Sequence, residues 1–282
     1  MLRIVTDGAA DMPESWKDEY DIQVIPLTVR FGEESYLQGR DIGVENFYRL
    51  VEQKRVFPKT SLPSPGQIAD FYRHIARQGD TILSIHLASK MSGTFSAVQM
   101  GAREVMNEFR IFTMDSGAGS AALGFMCRDA RLMERAGASV DDIRGWLEQK
   151  SRRLAIAFTL DTLDYAYLSG RIGKMTRAIS SMLRIKPIII LRDGLLSMSE
   201  KVRTRHSALE RVVNVIRERV GEMKVNVAVV HAADLEAAND MVQRLRGKLN
   251  LNEVVITDLS IPVAANLGPG TIGIVAYPAN IE

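Results

Sequence analysis

Residues 81–115, TILSIHLASKMSGTFSAVQMGAREVMNEFRIFTMD, decide the fold. The apolar run TILSIHL has the length of a strand, a polar loop follows, TFSAVQMGAREVM carries apolar residues at helical spacing, and RIFTMD reads as the next strand. Strands separated by helices of this length imply parallel neighbours in a doubly wound sheet. The alternation extends towards both termini. LRIVTD (2–7) is a strand ending in Asp7, and Asp11, Pro13 and Glu14 resemble a helix start. IQVIPLTVRF (22–31) reads as a strand, GEESYLQGRDIG (32–43) as a turn-rich segment, VENFYRLVEQK (44–54) as a helix, PKTSLPSPG (58–66) as a loop and QIADFYRHIARQ (67–78) as a helix. Two further helical patterns cover roughly 119–150.

The second half has a different texture. RLAIAFTL (153–160) is a strand, residues 161–185 carry two short helices around a glycine-containing break, and KPIIILRDGLLSMSEKVR (186–203) is a hairpin turning at Asp193-Gly194. A helix (207–220), a strand (225–231), a helix (235–249) and a strand (253–261) follow. The uncharged stretch LSIPVAANLGPGTIGIVAYPANI (259–281) is long enough to span a bilayer, but its prolines, glycines and asparagines disqualify it, and it reads as two strands around a turn. The fold class is therefore α/β in two domains. Residues 1–153 form a doubly wound, mostly parallel sheet, and 154–282 form an α/β domain with a mixed or antiparallel sheet. The junction lacks a Pro- or Ser-rich linker, so the two are expected to pack tightly.

At 282 residues the chain accommodates two domains of about 130 to 150 residues. A hydrophobic fraction of 46% with 25% charged residues is ordinary for a soluble globular protein, and a formal net charge of +2 is too small to predict nucleic acid or membrane as the main partner. The single cysteine, Cys127, excludes an internal disulfide and a cysteine-based zinc site, and fits a reducing, cytoplasmic setting. MLRIVTDGAAD enters a strand directly and lacks the pattern of a secretory signal.

In a parallel α/β sheet, ligands gather where strands end and helices begin. Four polar loops sit at such ends: Asp7–Asp11, Thr60–Gly66, Ser89–Thr94 and Asp115–Ser120. In the third, Ser92 suits an N-cap, Gly93 allows close backbone approach and Thr94 adds a hydroxyl beside free N–H groups, which makes either a small anion site or an ordinary capped helix. In the second, Thr60, Ser61 and Ser64 are stiffened by Pro63 and Pro65, and Ser64 with Pro65 equally suits a simple helix start.

GPGTIG (268–273) matches a dinucleotide-binding fingerprint, but too few residues follow it for the helix and strand that such a unit needs. His74, His86, His206 and His231 are scattered; His86 and His231 lie in apolar strands, where a satisfied core histidine is the simpler reading. No catalytic residue and no metal ligand emerges. Residues 171–211 hold ten Lys or Arg against Asp193, Glu200 and Glu210, a local net of +7 that is either a solvated face or a docking surface for an acidic or phosphate-bearing partner. Thirteen methionines suit an adaptable interior, and equally routine core filling.

The segments IVTDGAADMP, VIPLTVRFGEESYLQGRDI, PKTSLPSPGQ, LASKMSGTFSA, MDSGAGSAALG, DTLDYAYLSGRIG, IKPIIILRDG, KVRTRHSALER and NLGPGTIGI cover essentially the whole chain. In this order they resemble the DegV family, which includes the fatty-acid-binding subunits of bacterial fatty acid kinase. The resemblance implies a long-chain fatty acid buried between the two domains, no further cofactor and no catalytic machinery. Its carboxylate would be held by the hydroxyls of Thr60 or Ser61 and of Ser92, with Gly93 and Thr94 completing the loop. Asn266 stands where the family often has histidine; an amide donates a hydrogen bond but carries neither proton nor charge. The family's TDSTAD is here TDGAAD, without hydroxyls at Gly8 and Ala9, and Leu62 replaces a usual glutamine. Arg171 and Arg203 match basic motifs and are candidates for a surface facing a phosphate or a kinase catalytic subunit.

The expected function is a fatty-acid carrier that offers its carboxylate to a separate kinase for acyl phosphate formation. The alternative is an enzyme acting on a small phosphorylated or carbonyl substrate, related to dihydroxyacetone kinase subunits. A nucleic-acid-binding regulator using residues 171–211 is a third reading.

Overall fold

The structure is a computed structural model, and it describes residues 1–172 and 185–280. The first half contains β1 (Leu2–Asp7), α1 (Ser15–Glu19), β2 (Ile22–Ile25), β3 (Thr28–Phe31), β4 (Glu34–Leu37), α2 (Val44–Lys54), β5 (Lys59–Ser61), α3 (Pro65–Ile75), β6 (Thr81–His86), α4 (Thr94–Glu104) and β7 (Arg110–Asp115). Two long helices, α5 (Ala121–Arg135) and α6 (Val140–Arg153), come next. The remainder is β8 (Ala155–Thr159), α7 (Asp164–Ser169), β9 (Lys186–Arg192), β10 (Leu195–Val202), α8 (Arg205–Val220), β11 (Val225–His231), α9 (Leu235–Leu245), β12 (Leu251–Asp258), α10 (Ile261–Leu267) and β13 (Ile272–Pro278). Of the two short helices read in 161–185, α7 is one; the other lies outside the described residues.

β2-β1-β6-β7 form the parallel sheet that the 81–115 pattern requires. Alternate residues of β1 point to opposite faces, so Ile4 and Val5 enter different cores. Val5 and Ile82 meet Ile68 and Tyr72 of α3 and Val98 of α4; the other face meets α5. The second half builds a mixed six-stranded sheet, β10-β9-β8-β13-β11-β12, in which only β11 and β12 run parallel. Its outer face is covered by α8 and α9, and its inner face meets α5 and α6.

The layers are therefore helix, sheet, helix, sheet, helix, and α5 is the shared middle. Every residue from Ala121 to Arg131 is buried. Charges inside this layer are compensated, as burial requires. Lys150 donates to Asp129 at 2.5 Å and to the Ala279 carbonyl at 3.1 Å, and Arg128 pairs with Glu253 at 2.5 Å. Arg131 donates to the carbonyls of Tyr20 (2.9 Å) and Leu2 (3.1 Å).

Three sequence expectations are corrected. IQVIPLTVRF is two strands, because Pro26 has no N–H for the ladder: β2 stays in the parallel sheet and β3 joins a separate antiparallel sheet, β4-β3-β5. The segments read as turn and loop supply β4 and β5, too short to show a period of two. The first of the two strands read in 259–281 is the helix α10, with Pro262 in its first turn. The hairpin at Asp193-Gly194 has φ of 51° and 75°, the positive pair that a tight two-residue turn demands. Among the described residues, no helix is long and apolar enough to cross a membrane.

Candidate functional site

Between the carboxyl end of the parallel sheet and the inner face of the mixed sheet lies a cavity enclosing about 920 Å³ between atoms, its open mouth included. Its floor comes from inward-facing residues of the mixed sheet: Ile156 and Phe158 of β8, Leu191 of β9, Leu196 of β10 and Val230 of β11. Gly273 of β13 pairs with Phe158, and a Cβ there would stand 2.4 Å from the Phe158 Cβ, so only glycine lets the aromatic ring lie across the strand. The opposite wall is made of loops after β1, β6 and β7, contributing Ala9, Leu87, Met91 and Gly119. α10 closes a side with Pro262, Val263 and Leu267.

Among the described residues, few polar side chains reach this lining: Thr60, Ser92, Ser120, Arg171, Asn266 and Thr271. Four of the residues singled out in the sequence thus share one cavity: Thr60, Ser92, Arg171 and Asn266. Ser61, Gly93, Thr94 and Arg203 do not line it. On β5 consecutive residues face opposite ways, so Thr60 and Ser61 are not interchangeable. Ser92 is not the N-cap of α4, a position held by Gly93. Its hydroxyl instead pairs with the fully buried Thr94 hydroxyl at 2.8 Å and accepts from the Thr94 N–H at 3.2 Å. Ser64 does cap α3, in a reciprocal box with Gln67.

Arg171 is anchored by donating to the Ser169 carbonyl, and Arg203 is exposed. Of the basic run at 171–211, Lys174, Arg177 and Arg184 lie outside the described residues. Lys186, Arg205 and Arg211 are paired, with Asp161, Asp234 and Glu200 respectively. Arg205 also donates to the Gly270 carbonyl at 2.9 Å, which pins the turn between α10 and β13.

Two buried networks hold the cavity's loops, and sequence reading missed both as assemblies. In the first, His86 Nδ1 meets Asp7 at 2.9 Å, His86 Nε2 meets Ser84 at 2.6 Å, and Ser84 meets the Tyr72 hydroxyl at 2.8 Å. Burial raises the Tyr72 phenol to about 12. Serine, imidazole and carboxylate in a row suggest a nucleophile relay, but Ser84 is fully buried and does not line the cavity. Asp7 also accepts from the N–H groups of Ala9 and Leu87, each at 3.0 Å, so the network fixes two cavity-wall residues.

In the second network, Asp11 accepts from the Ser260 N–H at 2.7 Å and from the Ser120 hydroxyl, tying the loop after β1 to the loop before α5 and to the start of α10. Burial raises its carboxyl to about 6, against the opposing effect of these hydrogen bonds. Ser120 has φ of 59°, an unusual value for a residue with a Cβ. The Asp11 bond holds it there, and Ser120 lines the cavity. The signals in the sequence were the polar loops Asp7–Asp11 and Asp115–Ser120 at strand ends.

The departure at Gly8 has a physical partner. Gln38 donates from Nε2 to the Gly8 carbonyl at 3.0 Å, and a Cβ on residue 8 would stand 1.9 Å from Gln38 Oε1. Gln38 fills the space that a side chain on residue 8 would need. Cys127 is buried, its thiol raised to about 12 by desolvation, and does not reach the cavity. Among the described residues, no cluster of three His, Cys, Asp or Glu is placed to hold a metal.

Comparison with known proteins gives a consistent picture. The family model described as "Uncharacterised protein, DegV family" matches residues 1–279. A DegV domain-containing protein of Streptomyces coelicolor is 33% identical over 276 residues, 97% of each chain. The structure of a fatty-acid-binding DegV family protein from Thermus thermophilus superposes with a TM-score of 0.90 at 27% identity, covering 98% of this chain and 99% of that one. A stearic-acid-binding protein from Eubacterium ventriosum superposes with a TM-score of 0.89 at 26% identity, covering 99% and 98%. The chain belongs to the DegV family.

Proposed function

We propose that this DegV-family chain is a carrier that buries one long-chain fatty acid in the cavity and presents its carboxylate to a separate kinase catalytic subunit for acyl phosphate formation. The observation that carries the reading is the cavity's lining: a greasy floor from the mixed sheet, with the hydroxyls of Thr60 and Ser92, the amide of Asn266 and the guanidinium of Arg171. Burying about 14 to 16 methylenes at about 0.8 kcal/mol each contributes about 11 to 13 kcal/mol before ordering costs. A carboxylate drawn from water needs partners; charge-assisted hydrogen bonds of about 1.5 to 3 kcal/mol each offset its desolvation. Thr60 and Ser92 supply them, with Arg171 as counter-charge, and Gly93 and Thr94 set the position of Ser92. Ser61, beside Thr60, has no direct part.

In this reading the protein has no catalytic residue, metal or cofactor and works in the cytoplasm. The lining contains no Asp, Glu, His, Cys or Lys among the described residues, which favours a carrier over the alternative enzyme. The phosphoryl group and the base come from the partner, and exposed Arg203 is the candidate contact with it. Native mass spectrometry of the purified protein tests the central claim. A stoichiometric acyl chain, or a rise in melting temperature on adding palmitic acid, is expected. The absence of both refutes it.

A further inference from the structure

Resting on the fatty-acid reading, we propose that the cavity prefers acyl chains bearing a hydroxyl beside the carboxyl end, 2- or 3-hydroxy acids, and that the side-chain carbonyl of Asn266 is the group that recognises it. Asn266 stands near the end of α10 and lines the cavity. Its Nδ2 donates to the Pro262 carbonyl at 2.6 Å. A carbonyl accepts only from a donor, so this bond fixes the orientation of the amide by chemistry: the nitrogen is turned back along the helix and Oδ1 occupies the other arm. Among the described residues, Oδ1 accepts from no donor.

The neighbouring polar groups do not fill that need. Ser92 accepts from the Thr94 hydroxyl at 2.8 Å and gives its own hydrogen to the carboxylate, and Ser120 donates to Asp11. The Thr271 hydroxyl donates to the carbonyls of Leu267 and Gly268, at 3.1 and 2.7 Å. A plain carboxylate does not fill it either, because it is all acceptor and sets oxygen against oxygen. An acceptor left unsatisfied in a largely apolar cavity weakens binding. The helix that carries Asn266 packs against β5, which carries Thr60, so a hydroxyl on the second or third carbon of the ligand supplies the missing donor on the head-group side of the cavity. The same hydroxyl at the far end of the chain falls among the apolar floor residues and has no partner.

The test is a titration of delipidated protein with palmitic, 2-hydroxypalmitic, 3-hydroxypalmitic and 16-hydroxypalmitic acids, read by calorimetry or by displacement of a fluorescent acyl chain. One neutral hydrogen bond corresponds to about a 2- to 12-fold change in Kd, so the 2- or the 3-hydroxy acid binds tighter than palmitic acid by about that factor, and the 16-hydroxy acid binds more weakly. In Asn266→Leu and Asn266→Ala the ratio of the palmitic acid Kd to the hydroxypalmitic acid Kd falls to about one, whatever happens to the two values themselves. If the wild type binds neither the 2- nor the 3-hydroxy acid more tightly than palmitic acid, the proposal is overturned without recourse to any variant. An advantage that persists in both variants removes Asn266 from the account. If none of the four acids binds, the fatty-acid reading itself fails.

Discussion

Replacing Asp11 with asparagine isolates the carboxyl that ties three cavity loops together. Its folded-state pKa is raised from 3.8 to about 6 by burial. The folded protein therefore holds the Asp11 proton more tightly than the unfolded chain does. The stability this confers is complete below about pH 3.8 and is lost as pH rises through about 6. At pH 5, below the folded value, the bound proton stabilises the fold by roughly 1 kcal/mol relative to pH 7.5. Asparagine does not titrate, yet its carbonyl oxygen still accepts from the Ser260 N–H and its amide still reaches the Ser120 hydroxyl. Asp11→Asn should then compare most favourably with wild type at pH 7.5 and lose roughly 1 kcal/mol of that relative standing by pH 5. In a chain of this size the change corresponds to about 2 to 4 °C in the gap between the two melting temperatures. Paired thermal melts at the two pH values measure it, and a gap that stays constant between them refutes the assignment of Asp11 as a titrating buried latch.

The remaining predictions concern single contacts. Ser92→Ala and Thr60→Val should each weaken fatty acid binding by about tenfold or more, the yield of one hydrogen bond to a charged group, and Ser61→Ala should leave the Kd unchanged in the same titration. Gly8→Ser should lower the melting temperature, and adding Gln38→Ala should recover part of the loss, because the clash is between those two positions; additive effects in the double-mutant cycle argue against the contact. Lys150→Met removes the nearer cation of buried Asp129, leaving it Arg128 at 4.0 Å, and should cost about 3 kcal/mol in urea unfolding.

What could be read in advance follows from how locally it is encoded. The strand-loop-helix-strand unit at 81–115 is contiguous and each element is long enough to show its period, so the parallel sheet was legible. The β4-β3-β5 sheet was not, because its strands are three or four residues long and β5 reaches its partner from beyond α2. α10 was missed because IPVAANL is apolar on nearly every side, and a helix without a polar face shows no 3.6-residue period. At the site, Thr60, Ser92, Arg171 and Asn266 were named from their segments and do line one cavity, whereas the alternation that separates Thr60 from Ser61 required β5 to be recognised as a strand. The Asp7 and Asp11 networks join residues far apart in the chain, so neither leaves a local pattern. The cavity is space that side chains do not fill, which no single position encodes.

The burial of α5 on all sides bears on how this protein comes apart. Severing the chain after Arg153 would strip one flank of that helix bare, turning a run of alanine, leucine, phenylalanine and methionine side chains towards solvent. Neither fragment carries a replacement cover, so the expected behaviour is one sharp calorimetric transition for the intact polypeptide and aggregation of the amino-terminal fragment expressed by itself, with solubility restored when both fragments are produced together.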